Sequence, residues 1–246
     1  MKARSFILGL SVLICGPVLA GPADYIFLPT VEYGEREIDF KIGSARQPAG
    51  DRLSAATLGF GYGATERWFT EVYLKYEKQG GEGAKLDALE WENKFQLTET
   101  GKYPVDVGLI TEIEVPRNRS APYEFKIGPL LQTDFDKLQL NGNLLFERRF
   151  SGDDPDMPHN TEIGYQWQVK YRWQPAFEFG LQGFGEMGKW NDWDPASEQN
   201  HRFGPAVFGK IGLEGRRAIK YNAAWLHGVS DAAPNDTLRA QIEYEF

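Results

Sequence analysis

Cysteine is all but missing from this chain: among 246 residues only Cys15 is one, and it stands in an N-terminal stretch with the marks of a removable leader. Lys2 and Arg4 precede the apolar run from Phe6 to Ile14, and Val18-Leu19-Ala20 offers the residues a signal peptidase reads. Residues 1–20 are therefore expected to be a signal peptide. The bulky Leu13-Ile14 before Cys15 argues against a lipoprotein. Cleavage after Ala20 leaves no thiol, which excludes disulfides, thiol catalysis and cysteine-ligated metal. Positive charge is in deficit, with 27 Lys and Arg against 35 Asp and Glu and no basic cluster, so a nucleic-acid partner is not expected. Past residue 20 no apolar run approaches the ~20 residues of a spanning helix, which rules out a helical membrane protein.

Alternation takes the place of long apolar runs. In the last ten residues Leu238, Ala240, Ile242, Tyr244 and Phe246 share one face, and Arg239, Gln241, Glu243 and Glu245 the other. This period of two marks a strand with unlike surroundings on its two sides. The same pattern recurs between turn signals to give twelve candidate strands, most about the length that crosses a bilayer at a tilt. The first is expected over Val31–Ile42, with Ile38, Phe40 and Ile42 facing out. Pro129 and Pro205 each remove a ladder donor, so local bulges or a register change are expected there. Connections alternate as well: those after even strands are short, and those after odd strands are longer and rich in Gly, Pro, Asp, Asn or Arg.

A terminal strand ending in Phe, with Tyr two residues earlier, resembles the C-terminal signal of Gram-negative outer-membrane β-barrel proteins. The segment Leu58-Gly59-Phe60-Gly61-Tyr62-Gly63 through Trp68 also looks like the glycine-aromatic hairpins of small outer-membrane transport barrels. The resemblance implies an all-β fold: one antiparallel transmembrane barrel of about twelve strands over residues 31–246, with short periplasmic turns and longer external loops. Residues 21–30 are expected as a periplasmic segment, too short for a plug domain though able to fold into the lumen. Outward aromatics divide into a periplasmic level (Tyr62, Trp68, Trp173, Phe177, Tyr244, Phe246) and an external one (Tyr76, Trp91, Tyr123, Phe150, Trp190, Phe203, Trp225), as interfacial girdles do.

The opposite phase supplies the candidate lining of the lumen: Glu37, Asp39, Glu71, Lys75, Glu90, Glu92, Lys94, Glu112, Glu114, Lys126, Arg149, Lys170, Arg172, Arg202, Lys210, Lys220 and Arg239. Acids dominate the first five strands and bases come later. Either a negative wall faces a positive one across a pore, or the charges are salt-bridged filler. The function expected is a porin-like channel for small polar or charged solutes, with no cofactor and no catalytic or metal site. Its partners would be outer-membrane lipid and lipopolysaccharide, and the barrel assembly machinery through the C-terminal strand. The alternatives are a non-conducting structural or surface-binding barrel and a lipid hydrolase at the external rim. Of the three histidines only His227, followed by Ser230, suits the latter, and the spacing does not put both side chains on one strand face. The loop Gly152–Asp156 offers oxygen ligands without a known calcium pattern.

Overall fold

The computed structural model describes residues 21–81, 83–118, 120–150 and 160–246, so the leader, the acidic loop and His159 lie outside the described residues. The strands are β1 (Arg36–Arg46), β2 (Arg52–Thr65), β3 (Trp68–Gln79), β4 (Lys85–Gln96), β5 (Asp106–Pro116), β6 (Tyr123–Phe135), β7 (Leu138–Phe150), β8 (Thr161–Gln174), β9 (Phe177–Lys189), β10 (Asp192–Trp193), β11 (Asn200–Gly212), β12 (Ala218–Gly228) and β13 (Asp236–Glu245). Twelve of them are long, and β10 is a two-residue ribbon on the end of β9. Each long strand pairs antiparallel with its neighbour. β13 pairs with β1 over ten residues, from Glu37 with Glu245 to Arg46 with Asp236, and the sheet is a closed ring.

The alternation seen in the sequence becomes two surfaces. In β1 the burial strictly alternates, exposed at Ile38, Phe40 and Ile42 and buried at Glu37, Asp39 and Lys41. The large exposed side chains of the other strands, such as Leu74, Trp91, Leu131, Phe179 and Ile242, are apolar too. This inverts a soluble protein: apolar outside, polar inside. A closed ring also leaves no strand edge, which is what a backbone in hydrocarbon requires.

Several boundaries differ from the sequence reading. β1 starts at Arg36, five residues later than expected, because Val31–Glu35 belongs to a segment that leaves the barrel interior. The turn after β4 runs from Leu97 to Val105, longer than its counterparts on the same end, such as Asp136-Lys137 and Pro175-Ala176. Trp91, expected near the external rim, falls mid-strand. Neither proline makes a bulge. Ile127 pairs with Phe146 and Leu130 with Asn143 in one register, so only the pairs at Gly128 and Pro129 drop out, and Pro205 behaves likewise between β11 and β12. Each proline follows a glycine. A Cβ on Gly128 or Gly204 would overlap the carbonyl oxygen of Leu144 or Trp225, so only a glycine lets the facing backbone come this close. The register shifts occur elsewhere, at Gly63/Thr65, Lys75/Tyr76 and twice between β8 and β9.

Candidate channel lumen

Residues 21–30, expected as a periplasmic segment able to fold into the lumen, enter the barrel. They pass through it, because they carry apolar side chains that find partners inside. Ile26 packs with Phe184, Phe208 and Leu226 on the β9, β11 and β12 wall. Phe27, the next residue, packs with Ile110, Leu130 and Leu145 on the β5–β7 wall. Two consecutive side chains pointing to different walls make the segment a crossbar. Burying an aliphatic or aromatic side chain is worth about 1.5–3 kcal/mol, enough to hold a short segment against its loss of freedom only if its backbone groups are satisfied as well.

Inward side chains satisfy several of these groups. Arg202 donates to the carbonyl of Gly21 at 3.0 Å, and Arg239 donates to that of Asp24. The Phe27 amide donates to Gln166 Oε1 at 3.2 Å while its carbonyl accepts from Asn143 at 2.9 Å. Val31 donates to Gln96 Oε1 at 2.8 Å. The chain then leaves through the end of the barrel where the short turns lie, with backbone bonds between Gly34 and Gly63 and between Gly63 and Glu35, both 2.9 Å.

Tyr25 fixes the third direction. Its hydroxyl donates to Glu92 and lies 3.3 Å from that of Tyr73. The Lys41 ammonium sits between the two rings, 3.3 Å from one centroid and 3.7 Å from the other, and 3.1 Å from Asp39. A lysine stripped of water is retained because two π faces and a carboxylate replace its hydration.

A chain of amides runs around the bore. Asn141 donates to Gln132 at 3.0 Å, Gln168 to Asn141 at 3.2 Å, Gln182 to Gln168 at 2.6 Å and Arg239 to Gln182 at 2.6 Å. Arg239 also donates to Asn222, which donates to Gln241, which donates to Asp39 at 2.9 Å. The belt thus links β6 to β1 by way of the later strands. Both ends of an amide can bond at once, so neighbouring strands are tied without net charge.

The seventeen charged residues read as lining fall in the inward phase; five of them are tied to one another, and five more bridge carboxylates outside the set. Lys75 bridges Glu90 at 2.9 Å and also contacts Glu114. Lys126 bridges Glu112 at 2.6 Å, Arg149 bridges Glu124 at 2.9 Å, and Lys170 bridges Glu178 at 3.1 Å. Arg172 bridges Asp134 at 3.0 Å and Lys210 bridges Glu245 at 2.8 Å. Lys220 bridges Glu243 at 2.6 Å and Glu35 at 3.1 Å. Ion pairs between neighbouring strands therefore cancel much of the acid-to-base division along the chain. Glu37, Asp39, Glu71 and Glu92 leave an acidic excess around the ammonium of Lys41, which bridges Asp39, and Lys94 lies 4.8 Å from the Phe69 ring.

The crossbar leaves a cavity of about 680 Å³ on the side of β1, β3, β4, β8, β9 and β11–β13, toward the short-turn end. Eight carboxylates line it, including Glu35, Glu71, Glu178 and Glu243, against four ammonium groups, Lys94, Lys170, Lys210 and Lys220. Ser230 Oγ accepts from the His201 amide at 2.9 Å, and the His227 ring lies 3.5 Å from Asp236 instead. The inward phase of these charges is legible in the sequence; the amide belt and the inward apolar anchors depend on contacts between distant strands. Their signal is apolar residues in the polar phase: Ile110, Leu130, Leu145, Phe184, Phe208 and Leu226.

The fold recurs in solved structures. The COG4313 outer membrane channel from Pseudomonas putida F1 superposes with a TM-score of 0.64 at 11% identity, over 90% of this chain and 98% of that one. The NanC porin gives 0.55 at 13% identity, over 86% and 98%, and the KdgM porin 0.55 at 8%, over 85% and 99%. No family model matches the sequence, and no curated protein does. The closed twelve-strand ring with its apolar outer belt has the fold of an outer-membrane β-barrel.

Proposed function

We propose that the barrel is a channel for small polar or charged solutes, narrowed by its own residues 21–30 and weakly selective for cations. The observation that carries this is the cavity at the short-turn end, bounded by charged side chains and containing twice as many carboxylates as ammonium groups. An excess of fixed negative charge in a low-dielectric wall raises the local concentration of cations. The solved structures that share the fold are described as channels and porins, which favours the same class of activity here. The seventeen inward charged residues are its lining in this proposal, Glu37, Asp39, Glu71 and Glu92 setting the sign.

The experiment is conductance of the purified protein in planar bilayers under a KCl gradient, with and without residues 22–31. Discrete channels with a reversal potential on the K⁺ side support the reading. The second reading, a non-conducting barrel, is favoured by one observation: the crossbar spans the bore between opposite walls. Absence of channels in both forms would establish it.

A further inference from the structure

On the outer wall, strand register sets side chains in rows across β12, β13, β1, β2 and β3. One row reads Ala223, Ala240, Ile42, Ala56, Tyr76, and the next toward the long-loop end reads Trp225, Leu238, Ser44, Ser54, Lys78. The row on the other side, Tyr221, Ile242, Phe40, Leu58 and Leu74, is bulky throughout. Alanines and serines thus form a floor with Leu238 as the wall on one side and Tyr76 on the other. The result is a groove of about 490 Å³ whose lining is almost wholly apolar. Directly beyond it lie Arg46, which bridges Asp236 at 2.8 Å, and Arg52, with Lys78 at the corner.

We propose that this groove seats an acyl chain of an outer-leaflet glycolipid whose headgroup phosphate is held by Arg52, Lys78 and Arg46. Two chemistries converge. The groove lies in the lipid-facing wall, where its natural filler is hydrocarbon, and its open end carries guanidinium and ammonium groups, which bind phosphate through charge-assisted hydrogen bonds. Charge complementarity picks a phosphorylated lipid over a neutral one. The position at the long-loop end picks the outer leaflet, and this clause rests on the orientation that puts short turns in the periplasm. The inference does not depend on conduction.

The test is native mass spectrometry of the detergent-solubilised barrel with three probes: bis-phosphorylated hexa-acyl lipid A, its phosphate-free form, and phosphatidylglycerol. Wild-type protein is expected to retain one lipid A. Ala240→Trp or, as a smaller filler, Ala56→Leu removes room for a few methylene groups and lowers the bound fraction about tenfold, the equivalent of roughly two methylenes. Arg52→Ser with Lys78→Ser brings lipid A down to the level of the phosphate-free form. Leu131→Trp on another part of the wall leaves retention unchanged. Heat-modifiable gel mobility verifies that each variant is folded. Equal lipid A retention by folded wild type and both groove variants overturns the proposal. So does equal retention of the phosphate-free lipid or of phosphatidylglycerol by wild type.

Discussion

A Cβ on Gly43 would overlap the carbonyl oxygen of Pro22, so the inner face of β1 and the lumenal segment are in backbone contact where they meet. The strand itself tolerates a side chain at this position, since valine is a good strand residue. The crossbar does not. Gly43→Val is therefore expected to leave the barrel folded and displace residues 21–24. Single-channel conductance in planar bilayers should rise by about twofold or more, and no change would show that the contact does not set the bore.

Phe27 is a buried aromatic anchor, 4% exposed among Ile110, Leu130 and Leu145. Truncating a buried phenylalanine costs about 3–5 kcal/mol where the surroundings cannot collapse. Phe27→Ala should release the segment while sparing the ring. Hydrogen exchange is expected to show faster exchange at residues 25–31 with unaltered protection in β5–β7.

Glu35 stands at the short-turn mouth just before β1, with Lys220 at 3.1 Å. Burial, followed by a hydrogen bond shared with Glu245, pushes its carboxyl up to about 7 against the pull of Lys220. A carboxyl raised on folding favours the folded state while protonated; that contribution is complete below its ordinary value and is lost as pH rises through about 7. Above that point the mouth gains one negative charge. The K⁺/Cl⁻ permeability ratio should increase between pH 6 and 8, a slope that Glu35→Gln should flatten.

Leu74 lies mid-strand in β3 on the outer wall and pairs with Leu58 and Leu89. Lysine here would meet hydrocarbon, at a cost of about 2–4 kcal/mol near the bilayer midplane. Leu74→Lys should lower unfolding stability by that amount in lipid vesicles, read from urea titration of tryptophan fluorescence. Lys75→Leu, one residue along and facing in, should instead disturb the Glu90 and Glu114 carboxylates and leave the lipid contact unaltered.

The ring was legible because each strand repeats one pattern that only two unlike solvents explain. Ile38, Phe40 and Ile42 against Glu37, Asp39 and Lys41 fix both the strand and its faces. Residues 21–35 carry no such period: their conformation is set by groups far away in sequence, Arg202, Arg239, Gln166 and Asn143, so a local reading could offer the lumen only as one option. The same holds for the charges. Parity places Lys126 and Glu112 inside, but only the register between β5 and β6 makes them partners, and that pairing turns an apparent field into a set of local bridges. Pro129 and Pro205 misled for a related reason, since the glycine before each lets the facing strand close in without a bulge.

The seam between β1 and β13 joins the first strand of the ring to Asp236–Glu245. Until those residues exist, both edges would present bare amides and carbonyls to hydrocarbon, each costing several kcal/mol. A nascent or truncated chain therefore has no half-built form that lipid can accept. Insertion is expected to wait for synthesis of β13, and a stop codon anywhere before Asp236 should abolish the membrane form outright rather than shorten it.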